Sequence, residues 1–479
     1  MRASLIMLAV LGAAVAGCED QGIKAGTSGG TSTMGNTATS GSAETVRFAT
    51  AWSTNADPAA AGAEATAAAV GALGCEPKGL IFFTYYEMPG FEGDATQVSP
   101  DPAAEKKVAE AVAKVAGGVP NIGGRARALT SGGTLLKNAV SVLAIGGRQA
   151  DCKTAVADLP ADDRKGPGEK IAAAVQDVKD LKIVVSLSNM DLSFGAAEGV
   201  SVEDYIRAVL GGTKPGVTLF GGNTMPSGDA LSENKLKRSQ YCNGTGYEHH
   251  VVAMGIGGPI EVFANHDNEF PPCEQTVPVT ETKGKWVVTL DGKPAEEVYR
   301  TLRGMKPDEP LTSDWQHPVG VVIAPEKVYL RMILDWVDKD GKDRKGEKAD
   351  APPGSLRFVS PVAKGAKIKV LAGGSDARAV VESARKAMDE AVAAAEAKGE
   401  KPALALISDC CARGMRLRKF RTGSDDEVTE AIRPALGSGV PIFGFYAWGE
   451  LGRIRGTYQG LDHQYQQHTF VTSVIAVKQ

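Results

Sequence analysis

Val440-Pro441-Ile442-Phe443-Gly444-Phe445-Tyr446-Ala447-Trp448-Gly449-Glu450 begins as a short apolar run of strand type. It breaks at Gly444 and Gly449, with aromatic side chains between and a carboxylate at its end. A strand that runs out into glycine and polar side chains is how many α/β proteins present a ligand site. The same unit recurs. In the last copy, 376–397 has a helical pattern, 402–410 a buried-strand pattern, 425–436 a second helix with acids in its first turn, and 470–477 a final apolar strand. In the first copy the matching pieces are 58–73, 79–85, 103–116, 119–124 and 140–147. In the middle copy they are 169–180, 181–188, 202–210, 217–222 and 251–258. The order helix, strand, helix, strand, strand predicts a mixed α/β (α+β) fold, one architecture used three times, its mixed sheets flanked by helices.

Residues 1–18 stand apart from this pattern. Arg2 precedes an apolar run, 3–16, of signal-peptide length and too short to span a membrane. Val15-Ala16-Gly17-Cys18 resembles a bacterial lipobox, in which Cys18 is the lipid attachment site; an ordinary secretory peptide with a coincidental cysteine is the other reading. Residues 19–46 are rich in Gly, Ser and Thr and are expected to form a flexible linker. A tether of that length would hold the folded part roughly 30 Å from the bilayer. The expected localisation is the cell envelope, lipid-anchored, with inner and outer membrane left open.

The chain has 479 residues and a formal net charge of −4, which leaves no electrostatic footprint for nucleic acid as a partner. Between the second and third units, 259–264, 276–282 and 286–290 read as strands and 294–302 as a short helix. Residues 304–318, rich in proline and charge, are the candidate domain boundary. Further strands are expected at 319–323, 327–337, 355–359 and 366–371.

Of seven cysteines, six remain after Cys18. Cys242 with Cys273 and Cys75 with Cys152 are candidate disulfides in an exported protein, although spacing does not determine connectivity. Cys410 and Cys411 are adjacent and expected to be free or metal-linked. Arg413 follows the 402–410 strand, where a guanidinium suits a ligand carboxylate; Arg416 to Arg421 read as a solvated basic loop. No histidine pair has metal-ligand spacing. His468 precedes the last strand and is a candidate pocket residue. Asp338-Lys339-Asp340-Gly341 reads as a charged hairpin turn, because Trp336 would occupy the first ligand position of a calcium loop. No nucleophile elbow or phosphate loop is present.

At these residues the chain resembles the FIST sensory domain, in its N-terminal and C-terminal parts. The resemblance rests on Val217-Thr218-Leu219-Phe220-Gly221-Gly222, on Leu290-Asp291-Gly292-Lys293-Pro294-Ala295 with Val298-Tyr299, on Cys410 with Arg413, and on Gly444-Phe445-Tyr446 with Gly449-Glu450. It implies an N-terminal domain over 47–304 and a C-terminal domain over 315–477. It implies a small-molecule sensor, not an enzyme, with ligands proposed in the family to include amino acids. Some members are described as haem-binding gas sensors, so haem is the cofactor alternative to none, and a Cys410-dependent enzyme activated by His468 is the third reading. The chain departs from the family at Gly123-Gly124-Arg125 and at Gln466-Gln467-His468-Thr469. The expected ligand-binding set is Gly222, Asn223, Cys410, Arg413, Tyr446, Glu450 and His468: Arg413 for a carboxylate, Glu450 for an amine, Tyr446 and Trp448 as apolar walls. No catalytic or metal residue is expected, and the signalling partner is open.

Overall fold

The computed structural model describes residues 34–38, 45–87 and 101–478, apart from 136–137, 190–191, 194–195, 226–239, 271–274, 307–308, 310, 312–317, 325–326, 344–349, 372–376, 421–426 and 468. The lipobox, Cys273 and His468 lie outside them.

Each repeat contains four sheet strands. In the first they are Arg47–Ser53, Pro77–Tyr85, Asn121–Arg125 and Ala139–Gly146, with helices Pro58–Leu73 and Pro102–Ala116 after the first and second. In the second they are Asp151–Asp158, Leu181–Ser188, Thr218–Asn223 and His250–Gly257, with helices Lys165–Val175 and Val202–Gly211. In the third they are Ile260–Asp267, Pro402–Cys410, Ile442–Ala447 and Phe470–Val477, with helix Ala377–Glu396 and then Cys411–Phe420, a π-turn Val428–Ile432 and Arg433–Leu436. The spatial order is first, fourth, second, third in every copy. Only the second–third pairing is parallel.

The local reasons are plain. Asp57, Asp101 and Ser201 cap helices by accepting from backbone N–H groups of the first turn. Pro434 lacks the N–H that would continue a regular ladder, and the π-turn ends two residues before it. The apolar second and fourth strands are buried on both faces, hence their continuous hydrophobic runs.

A hairpin follows the third strand of each repeat and pairs with a different repeat. That of the first, Ala128–Thr130 with Gly133–Leu135, pairs with Ile442–Ala447. That of the second, Gln240–Cys242 with Thr245–Tyr247, pairs with Asn121–Arg125. That of the third, Glu450–Tyr458 with Leu461–Gln466, pairs with Thr218–Asn223. The exchange closes a ring and leaves no third strand as an open edge. Phe83 stacks on Phe443 and Phe445 in the shared centre, at 5.1 and 4.4 Å.

Three expectations need correction. Met34–Ala38, placed in the flexible linker, is a strand paired with Arg47–Ser53. Residues 304–318 do not separate two bodies: Val277–Lys283 pairs with Lys367–Val370, so strands from both sides share one sheet. That β-rich piece is an insertion within the third repeat, between its first strand and its long helix. Cys75 and Cys152 are free thiols. Asp338 does open a tight turn, its backbone N–H bonded to Lys342 O.

Candidate functional site

Strand register superposes the three repeats residue by residue. Thr84, Ser188 and Asp409 are equivalent at the end of the second strand; Arg125, Asn223 and Tyr446 are equivalent beside them. Each place holds a different polar plug. In the first repeat Arg125 Nε donates to both oxygens of Glu105, at 2.8 and 2.7 Å, with both side chains fully buried. Burial outweighs the neighbouring guanidinium and pushes the Glu105 carboxyl up to about 7.

In the second repeat the plug is neutral. Ser188 Oγ donates to Asn223 Oδ1 at 2.8 Å, and Asn223 Nδ2 donates to the Tyr465 hydroxyl at 2.7 Å. Ser193 Oγ donates to that hydroxyl and the hydroxyl to Trp448 O, at 2.8 and 3.0 Å. Asn223 thus ties its own strand to the hairpin of the third repeat.

In the third repeat the plug is ionic. Arg413 donates through Nε to Asp409 (2.6 Å), through Nη1 to Glu269 (2.6 Å) and Ser383 (2.9 Å), and through Nη2 to Val380 O (2.9 Å) and Glu427 (2.8 Å). All five N–H groups of a guanidinium are thereby used. Arg416, expected in a solvated loop, is buried on helix Cys411–Phe420 and reaches Glu269 at 3.3 Å. Burial, with Asp409 adding to it, holds the Glu427 carboxyl well above the usual range.

This divides the expected site. Arg413 has no donor left for a ligand carboxylate. Tyr446 lines no pocket with Glu450: strand alternation turns Phe443, Phe445 and Ala447 to the centre, while Tyr446 packs in the helical layer against Gly414. His468 lies outside the described residues. The structure brings together Gly222, Asn223, Cys410 and Glu450, at the junction of the second repeat, the third repeat and the third hairpin.

Gly222 has φ +148°, and a Cβ there would stand 2.4 Å from Gly449 O and 3.3 Å from Ser408 Oγ. Only glycine permits that approach. Gly222 pairs with Glu450, which pairs in turn with Gln466. Glu450 is fully buried. Its Oε1 accepts from Gly449 N and its Oε2 from Thr469 N, each at 3.2 Å. Burial, with Cys410 and Asp409 nearby, holds its carboxyl well above the usual range.

One face of the hairpin carries Glu450, Gly452, Gln464 and Gln466. A Cβ on Gly452 would meet Val471 Cγ1 at 2.4 Å, so that face lies against the third repeat's sheet. There Val471, Ser473 and Ser408 share the opposing face, by register. Gln466 is fully buried, yet neither its Oε1 nor its Nε2 has a hydrogen-bond partner; Gln464 Oε1, Ser408 Oγ and Ser473 Oγ also have none. Sequence reasoning named Gln466 only as part of the departure from the family at 466–469 and missed Gln464 and Tyr465, because 461–466 carries no continuous apolar run.

The FIST N domain family matches residues 94–293 and the FIST C domain family matches residues 295–453. No curated protein matches the chain. Among solved structures, cyanuric acid hydrolase from A. caulinodans is 11% identical, covering 93% of this chain and 99% of its own, with a TM-score of 0.31. Phosphoribosylformylglycinamidine synthase II from Thermotoga maritima is 12% identical, covering 92% and 75%, with a TM-score of 0.19. Likenesses at these scores carry no argument about activity.

Proposed function

The chain belongs to the FIST family, a family of sensory domains, and from that premise we propose a lipid-anchored, extracytoplasmic sensor whose small polar ligand binds between the third hairpin and the third repeat's sheet. The observation that carries the reading is the Gln466 carboxamide, fully buried with both ends unpaired beside the buried Glu450 carboxyl. An unpaired buried polar group costs about 1–3 kcal/mol, and sites that keep such groups are where a ligand or ordered water restores the bonds.

The expectation of an amino acid or small anion changes in one respect. The carboxylate clamp assigned to Arg413 is removed, because that guanidinium is spent within the protein. Burial disfavours the ionised form of Glu450 and so weakens it as a partner for an ammonium group. The lipobox-like Val15-Ala16-Gly17-Cys18 supports the anchor and the envelope location.

Native mass spectrometry of the detergent-solubilised chain, purified without refolding, tests the binding. A retained small mass, lost in Glu450→Leu, is expected. A clean apo mass that no polar small molecule alters overturns the reading. Movement of Cys18→Ser from the membrane to the soluble fraction tests the anchor.

A further inference from the structure

The hairpin face and the sheet it covers present a particular set of groups. Glu450 and Gln466 are directly opposite in register, so their side chains leave the same face side by side. Gln464 follows one pleat away, opposite Gly452. Ser408 and Ser473 share the sheet face of Val471, the residue that packs against Gly452. Every one of these side chains is buried, and Gln466, Ser408 and Ser473 have side-chain polar atoms with no partner. None of them is cationic, and Glu450, whose ionised form burial disfavours, is the one acid among them.

A carboxamide offers one acceptor and two donors in a plane, and a hydroxyl offers one of each. The complement of a carboxamide is another planar edge that sets a donor beside an acceptor. A carboxylate lacks donors, an ammonium lacks acceptors, and either charge would enter this layer with nothing of opposite sign held ready for it.

We propose that the layer bounded by Gln464, Gln466, Glu450, Ser408 and Ser473 is a ligand site for a small neutral molecule bearing an amide- or urea-type edge, with Gln466 as the residue that selects it. This rests on the sensory reading above and narrows its ligand. Gln466 pairs with the edge through Nε2 and Oε1, the serine hydroxyls meet polar atoms on the far side, and Glu450, held by Gly449 N and Thr469 N, orients the hairpin. The high folded pKa of Glu450 agrees with a site that favours uncharged ligands.

The test uses the full chain in detergent, with acetamide, N-methylurea and hydantoin as neutral probes, acetate and ethylammonium as charged ones, and ligand-detected NMR titration as readout. At least one neutral probe is expected to bind the native protein, and Gln466→Met to weaken it about tenfold or more. Gln466→Met is expected to unfold at the same temperature as the native protein or higher, because it removes an unpaired buried amide. Ser408→Ala provides a second variant with the same expected weakening should Gln466→Met not fold. Neutral probes bound equally by native protein and variants overturn the proposal. Charged probes bound in preference, untouched by either substitution, overturn it while leaving a sensory site in place. Silence from every probe also overturns it, and the retained mass of the native chain then decides the sensory reading separately.

Discussion

Glu450 stands directly opposite Gly222 in antiparallel register, although the two belong to different repeats. That pairing seats the third hairpin on the second repeat. It also places a buried carboxyl where the hairpin crosses the third. The junction depends on a residue with no side chain, since Gly449 O occupies the space that a Cβ on Gly222 would need.

Gly222→Ala is therefore expected to destabilise the protein by about 2–4 kcal/mol, combining φ strain with a backbone clash. Gly211→Ala, at an exposed helical position with nothing within 4 Å of the added Cβ, should be neutral or slightly stabilising. Denaturant unfolding of both variants measures the difference; equal midpoints would remove the close approach from the account.

Arg413→Met should cost about 3–5 kcal/mol, because it leaves Asp409, Glu269 and Glu427 buried around a missing charge. Arg413→Lys should also destabilise, since an ammonium cannot replace five planar donors. In any Arg413 variant that still folds, ligand affinity is expected to be unchanged. A selective loss of ligand with full stability would return Arg413 to the site.

Glu105 titrates up to about 7 in the fold against 4.5 ordinarily. Between those values the folded state holds a proton that the unfolded chain has lost, so stability falls as pH rises through the window. Linkage sets the fall at about 3 kcal/mol at most. Glu105→Gln should flatten the curve of unfolding midpoint against pH in that interval. A variant with the native slope there would mean that Arg125 keeps Glu105 ionised.

Tyr465→Phe removes the hydroxyl that joins Asn223, Ser193 and Trp448 O. It leaves buried donors unpaired and should cost about 1–3 kcal/mol. Because the lost bonds connect hairpin to repeat, hydrogen exchange is expected to speed up in 450–466 more than in 77–85. A uniform change across both segments would assign the cost to the whole fold instead.

The repeat was legible because each copy carries the same run of signals, an alanine-rich helix and then an apolar strand buried on both sides, as in Pro58–Leu73 with Pro77–Tyr85. The leading strand of each copy was harder. Asp151–Asp158 lies at the outer edge of its sheet, is buried at alternate positions and carries charge, so it lacks the continuous apolar run. Arg416 read as part of a solvated basic loop, and Arg413 as a ligand group, because only their distant shared partner Glu269 explains why both arginines are buried.

By itself the sequence determined the periodic elements, the glycines at the ends of the third strands and the family, since these follow from local propensity, spacing and short motifs. The tertiary structure alone decided which repeat each hairpin joins, that Arg413 is spent on three buried acids, and that Gln466 is buried unpaired beside Glu450. Those outcomes depend on contacts between residues far apart in the chain. Burial and pairing, which set both charge state and hydrogen-bond satisfaction, exist only once those residues meet.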